Sequence, residues 1–208
     1  MDDPSRTDRP MKLLVVEDER DVADMYLTWL EEAYDVEVAY SGEDAKSRID
    51  DSFDLILLDR RMPGISGDEV LEWIREEAFD CYVAMITAVD PDLSIVEMEF
   101  QEYLVKPISA EELHEAVESL LTQKQQEDRI KQLFQLSLRL STLESKLTMR
   151  QLQESTKYWE LQEELETVWE EFEAEQREGT ATHIATVEKI QSIFTSASAQ
   201  TQTQSNPS

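Results

Sequence analysis

From about residue 11 to residue 123, short apolar runs alternate with stretches in which apolar residues recur every three or four positions. Unbroken or alternating apolar runs of four to eight residues read as strands, and the longer period reads as helix. Five strands are predicted over Lys12 to Glu17, Asp35 to Ala39, Leu55 to Asp59, Tyr82 to Thr87 and Glu102 to Val105, with helices between them and a further helix after Pro107. Strands that alternate with helices are the pattern of βαβ units and a parallel sheet. Leu55-Ile-Leu-Leu58 is apolar at every position, as a strand covered on both faces must be. Ser109, just ahead of Glu111 and Glu112, supplies an N-cap hydroxyl and first-turn acids that suit the helix dipole. The first half is therefore expected to be an α/β domain built on a doubly wound parallel sheet.

Between Pro107 and Gly179 there is neither proline nor glycine, so helix can continue well past the sheet. Leu133, Leu136, Leu140, Leu143 and Leu147 form a coiled-coil-like stripe. Residues 149 to 156 are polar apart from Met149 and Leu152, and a broader stripe of Leu161, Leu165, Val168 and Phe172 then follows, with Trp159 and Trp169 beside it. Two helices joined by a turn near Glu154 to Lys157 is the preferred reading, and one long bent helix is the alternative. After Gly179 the chain is rich in Thr, Ser, Gln and Ala, although Ile184, Val187, Ile190, Ile193 and Phe194 are spaced as a short amphipathic helix. The expected organisation is a flexible N-terminus over 1–10, the α/β domain over 11–123, a helical hairpin or coiled-coil-like module over 124–178, and a mostly disordered polar tail over 179–208.

Charge constrains the possible partners more than size does. The 208 residues include 47 acidic and 19 basic side chains, a formal net charge of -28, which opposes general attraction to nucleic acid or anionic membranes. With 40% hydrophobic residues this is a folding chain, so the acids decorate a surface. Such a surface suits a very salty cytoplasm, where a Debye length of about 3 Å silences carboxylate repulsion. Cys81, the single cysteine, has no internal disulfide partner and reads as core packing, and His114 and His183 lack metal-ligand spacing. No apolar run approaches the roughly 20 residues of a membrane span, and residues 1 to 10 do not resemble a signal peptide, so a cytoplasmic location is expected.

The candidate chemistry lies at the predicted strand ends. Glu17 and Asp18 follow the first strand, Asp59 ends the third, Thr87 ends the fourth, and Lys106 follows the fifth. In an open parallel sheet these carboxyl ends open onto one crevice. Three carboxylates gathered there repel one another unless a divalent cation bridges them, and hard oxygen ligands suit Mg²⁺. An aspartate beside Mg²⁺, a lysine and a threonine can accept a phosphoryl group.

The set Glu17-Asp18, Asp59 followed by Met62-Pro63-Gly64, Thr87-Ala88, and Tyr103-Leu-Val-Lys106-Pro107 resembles the receiver domain of two-component response regulators, over about half the chain. The resemblance implies a flavodoxin-like, five-stranded sheet of order 2-1-3-4-5. It implies that Asp59 takes a phosphoryl group from the phosphohistidine of a sensor histidine kinase. By the same resemblance Asp18, Asp59 and the backbone carbonyl of Arg61 ligate Mg²⁺, Glu17 acts through water, and Lys106 and Thr87 bind phosphoryl oxygens. Tyr103 turns inward behind Thr87 in this reading, with plain sheet packing as the alternative, and Pro107 follows a cis peptide bond. Arg61 and Val89 flank the path of an attacking water and so tune dephosphorylation. The protein implied is a phosphoacceptor signalling protein rather than an enzyme, limited to self-catalysed phosphoryl transfer and slow autodephosphorylation. Met62 is read as packing, and Gly64 and Gly67 as turn residues.

The second half resembles, more loosely, the helical HalX module that follows receivers in haloarchaeal regulators. Its two stretches carry opposite charge: Lys124 to Lys157 holds seven basic and four acidic residues, net +3, and Tyr158 to Glu178 one basic and nine acidic, net -8. An antiparallel hairpin, or pairing between subunits of a homodimer, is expected. The output is then a protein interaction with an unidentified downstream target. The alternative is a phosphorylation-controlled DNA-binding regulator using Lys124, Arg129, Lys131, Arg139, Lys146 and Arg150, although no helix-turn-helix signature is present. Two other classes fit poorly. A dehalogenase-type hydrolase needs an acid two positions after Asp59, where Arg61 stands, and a nucleotide-binding flavodoxin-like protein needs a glycine-rich phosphate loop, which does not follow the first strand. The segment between Thr87 and Lys106 is shorter than in most receivers, so a short helix is expected there.

Overall fold

In the computed structural model, residues 10–88 and 98–178 are described. They belong to two compact units that divide between Lys124 and Gln125. The expected flexible N-terminus, the short helix after Thr87, the polar tail and the amphipathic segment near Ile184 lie outside the described residues, apart from Pro10.

The first unit contains β1 (Lys12–Val16), α1 (Arg20–Leu30), β2 (Asp35–Ala39), α2 (Gly42–Arg48), β3 (Leu55–Asp59), α3 (Gly67–Glu76), β4 (Tyr82–Thr87) and β5 (Glu102–Val105). The strands form one parallel sheet in the order β2-β1-β3-β4-β5. Successive side chains on a strand point to opposite faces, and here both faces are apolar. Leu14, Val16, Ile56, Leu58, Val83 and Met85 face α2 and α3, whereas Leu13, Val15, Leu55, Leu57, Ala84 and Ile86 face α1 and the start of the helix that follows β5. That two-sided burial is why the central strands read as unbroken apolar runs.

Helix α4 runs from Ala110 to Lys146. It opens as the sequence indicates: Ser109 Oγ accepts from Glu112 N at 3.2 Å, and Glu112 Oε2 accepts in return from Ser109 N at 2.8 Å. Cys81 is buried, and desolvation pushes its thiol up to about 11, which leaves it an inert core residue.

The helical region does not turn only once. Helix α4 stops at Lys146, a short α5 (Met149–Gln153) follows, and α6 (Thr156–Glu178) begins after a turn at Glu154 and Ser155. The first break comes where Gln151 Oε1 accepts from both the Thr148 backbone N–H and its hydroxyl, opening a new helix. Leu147 accordingly falls off the predicted stripe and is 37% exposed. The rest of the two stripes close on each other: Leu133, Leu136 and Leu140 of α4 share one core with Leu165, Val168 and Phe172 of α6, with Leu143 and Leu161 packed against it. Arg129 pairs with Glu171 and Tyr158 with Glu144, so the two helices run antiparallel.

Candidate functional site

Strand register alone assembles the site. Val16 pairs with Leu58, so the next residues, Glu17 and Asp59, emerge side by side; Asp59 pairs with Ile86, and Thr87 with Val105. The Lys106 backbone N–H then donates to Thr87 O at 2.8 Å. Residues 89 positions apart thus reach one crevice at the point where strand order reverses between β1 and β3. A cis peptide bond joins Lys106 to Pro107.

Within the crevice Glu17, Asp59 and Thr87 are buried and Asp18 is half-buried. A carboxylate oxygen from each of Glu17, Asp18 and Asp59 lies within 4.8 Å of the others. Lys106 Nζ stands 2.6 Å from Glu17 Oε2 and 3.3 Å from Asp59 Oδ2, so the ammonium bridges the two buried acids. Burial pushes the carboxyls of both Glu17 and Asp59 above the usual carboxylate range, despite the nearby Lys106. The Lys106 ammonium is held above its ordinary value: its bond to Glu17 and the charge of Asp59 outweigh the desolvation that opposes them. Three carboxylates and one ammonium leave a formal charge of -2, the complement of one divalent cation. Clustered hard oxygen donors of this kind fit Mg²⁺.

The Arg61 backbone N–H faces Asp59 Oδ1 at 3.4 Å, and the Arg61 side chain is exposed. Val89 lies outside the described residues. Tyr103 is half-buried, with its ring 5.7 Å from that of Phe100 and its hydroxyl accepting from Arg60 Nη1 at 3.4 Å. Its ring therefore packs as a sheet side chain while the residue after Asp59 holds its hydroxyl.

Several contributors are not evident from the sequence pattern. Arg60 is clamped by Asp68, with Nε 3.0 and 3.2 Å from the two carboxylate oxygens, which steadies the link to Tyr103. The buried Tyr26 phenol, on the inner face of α1, is raised by desolvation and feels the charges of Lys106, Glu17 and Asp59. Gly67 matters for close approach rather than turn geometry: a Cβ there would meet Asp59 O at 2.1 Å. Gly64 does occupy the left-handed region, with φ +79°, and Met62 packs into the core.

A family model described as the response regulator receiver domain matches residues 13–118, and one described as the HalX domain matches residues 122–187. The chain is 47% identical over 163 residues to a protein of Haloferax volcanii described as a transcriptional regulator, across 78% of this chain and 28% of that protein. It is 31% identical over 183 residues to the uncharacterized transcriptional regulatory protein YrkP of Bacillus subtilis, across 76% of this chain and 79% of that one. Among solved structures it resembles the signal receiver domain of a Luxo repressor protein from Vibrio parahaemolyticus, with TM-score 0.54 and 31% identity, over 58% of this chain and 95% of that one.

Proposed function

Because the chain belongs to the response regulator receiver family and continues into a HalX domain, we propose that it is a phosphorylation switch in which Asp59 is the sole phosphoacceptor. The observation that carries this reading is the placement of Asp59 beside Glu17, Asp18 and Lys106 in one crevice. An Asp59 carboxylate oxygen attacks the phosphorus of a kinase phosphohistidine; the new O–P bond forms as the N–P bond breaks, and the imidazole leaves with a proton. Asp18, Asp59 and the Arg61 carbonyl would hold Mg²⁺, with Glu17 acting through water. When bound, the cation screens the repulsion between the Asp59 carboxylate and the incoming phosphoryl oxygens. Lys106, freed from Glu17, neutralises one phosphoryl oxygen, and Thr87 donates its hydroxyl to another.

Tyr103 and its Arg60 tether relay the change to the outer face of β5. Arg61 and Val89 restrain the attacking water, so the phosphoryl group decays slowly. The helical region carries the output by protein contact, and the chain acts in the cytoplasm as a signalling protein.

The test is intact-mass measurement after incubation with a small phosphodonor and Mg²⁺. Wild type should gain one phosphoryl group, and Asp59→Asn, or wild type in chelator, none. Equal gain by Asp59→Asn overturns the assignment. A half-life that is short and unchanged by Arg61→Ala or Val89→Ala overturns slow decay.

A second reading, DNA binding, is favoured by the descriptions of both relatives as transcriptional regulators. Lys124 is not available for it, being buried with Nζ 3.5 Å from Asp80, and Arg129 is engaged with Glu171. Lys131, Arg139, Lys146 and Arg150 remain exposed. Phosphorylation-dependent anisotropy of labelled DNA in molar KCl, lost when those four are replaced, would establish it.

A further inference from the structure

The helical hairpin of the second unit is closed on one flank and open on the other. On the closed flank, the Arg129 guanidinium of α4 pairs with the Glu171 carboxylate of α6. On the other, the Tyr158 hydroxyl donates to Glu144 Oε1 at 2.9 Å and accepts from Gln162 Nε2 at 3.0 Å. Glu144 and Gln162 therefore mark the edges of the two helices that lie together there. At about 100° per residue, Phe134 and Leu138 lie about 80° and 120° farther round α4 from Glu144, and Trp159 about 60° farther round α6 from Gln162, so all three fall on this side, away from Arg129 and Glu171. These three are 54%, 56% and 44% exposed.

The apolar sector of α4 is wider than one neighbour can cover. It sweeps from Leu136 and Leu140 through Leu133 and the half-buried Ile130 to Phe134 and Leu138, and α6 covers only its first part. A stripe of that width suits a bundle helix with two neighbours rather than a helix with one.

We propose that a second copy of this chain covers the open flank, completing a four-helix bundle around a two-fold axis parallel to the helices. A two-fold interface uses the same patch on both copies, which one mixed apolar flank can provide. Charge selects the axis. With the axis along the helices, each α4 lies beside the partner's α6, so residues 124–146, with five basic and three acidic side chains, meet residues 156–178, with two basic and nine acidic. With the axis across them, α4 would meet α4 and the acidic α6 would meet its own copy. The rims agree, since exposed Lys131 borders Leu138 on α4 and exposed Glu166 and Glu170 border the Trp159 edge of α6. The helix pairing seen within the hairpin sets Lys131 level with Glu170, so in the bundle each Lys131 neighbours the partner's α6 at that level.

The test is sedimentation equilibrium of the full, unphosphorylated chain in molar KCl, which makes it independent of the phosphorylation reading. The expected species has twice the 24.1 kDa monomer mass. Leu138→Glu enters the interface twice and should raise the dissociation constant about a hundredfold or more, with unchanged helicity by circular dichroism. Should that variant fail to fold, Leu138→Ala should weaken association in the same direction while retaining the helices. Lys131→Glu and Glu170→Lys should each weaken the dimer, and the two together should restore it. Wild type that stays monomeric at every concentration overturns the proposal, whether the flank is then covered by residues beyond 178 or by another protein. A dimer indifferent to Leu138→Glu places the interface elsewhere and overturns it too, and failure of the charge exchange to recover association overturns the axis.

Discussion

Replacing Gly67 by alanine tests how tightly the scaffold holds the phosphoacceptor. Gly67 is buried as the first residue of α3, and its backbone N–H donates to Arg60 O at 3.0 Å. An added Cβ would stand 2.1 Å from Asp59 O, 2.9 Å from Arg60 Cα and 2.9 Å from Asp59 C. All three atoms are backbone, so no side chain can rotate away. Relieving the first contact takes roughly 1.3 Å of movement or more before ordinary van der Waals spacing is reached. Helix α3 cannot supply it freely, because Ser66 and Glu69 cap its start reciprocally and Val70, Leu71 and Ile74 anchor it in the core. The movement therefore falls partly on Asp59. Overpacking of this kind costs about 1–3 kcal/mol, and Gly67→Ala should lie at the upper end because backbone must shift. For a domain of this size that is a fall of about 10 °C in thermal midpoint, read by circular dichroism in molar KCl. Displacing a reacting group by 1 Å can cost about a hundredfold in rate, so phosphorylation by a small phosphodonor should slow by one to two orders of magnitude. A Gly67→Ala protein with the wild-type midpoint and phosphorylation rate would refute both the contact and the reasoning that ties it to Asp59.

Other consequences are open to equally direct tests. Glu17 and Asp59 hold their protons more tightly in the folded state than when unfolded, chiefly because they are buried. Their contribution to stability is therefore full below the unfolded carboxyl values of about 4 and is lost as pH rises through the raised folded values. Urea midpoints without Mg²⁺ should fall over that window, and saturating Mg²⁺ should flatten or reverse the fall; a midpoint that climbs with pH in its absence would contradict the direction of the shifts. The net charge of -28 predicts a clearly lower thermal midpoint at low ionic strength than in molar KCl, and equal midpoints would count against halophilic adaptation. Arg60→Ala removes the tether on the Tyr103 hydroxyl and should leave the mass gain at Asp59 intact while broadening Tyr103 resonances in NMR spectra; unchanged resonances would argue against the tether. Leu140→Asp with Val168→Asp places two carboxylates in the hairpin core and should melt that unit, detected as lost helicity, while phosphorylation of Asp59 persists.

The sheet was legible in the sequence because a strand buried on both faces leaves a strong local mark, and the crevice followed because strand ends in a parallel sheet must converge. What stayed hidden depends on distances between side chains. Lys106 could be placed in the crevice by its position after β5, but its pairing with Glu17 ahead of Asp59 reflects a difference of 0.7 Å, from 2.6 to 3.3 Å. Arg60 and Tyr103 meet across 43 positions, and the buried Tyr26 of α1 feels the charges of Lys106, Glu17 and Asp59. In the helical half the missed features were local and readable. Thr148 and Gln151 have the spacing of a capping box, and that start signal interrupts a leucine stripe whose period continues to Leu147. Lys124 follows Leu113, Val117 and Leu120 at helical spacing, on the buried side of α4. Its aliphatic stem can lie along that face, with Nζ near Asp80 and 5.8 Å from the Tyr82 ring centroid. Periodicity places Lys124 inside and its charge suggests outside; in this protein periodicity prevails, because a long stem can bury its methylenes while neighbouring groups stabilise the ammonium.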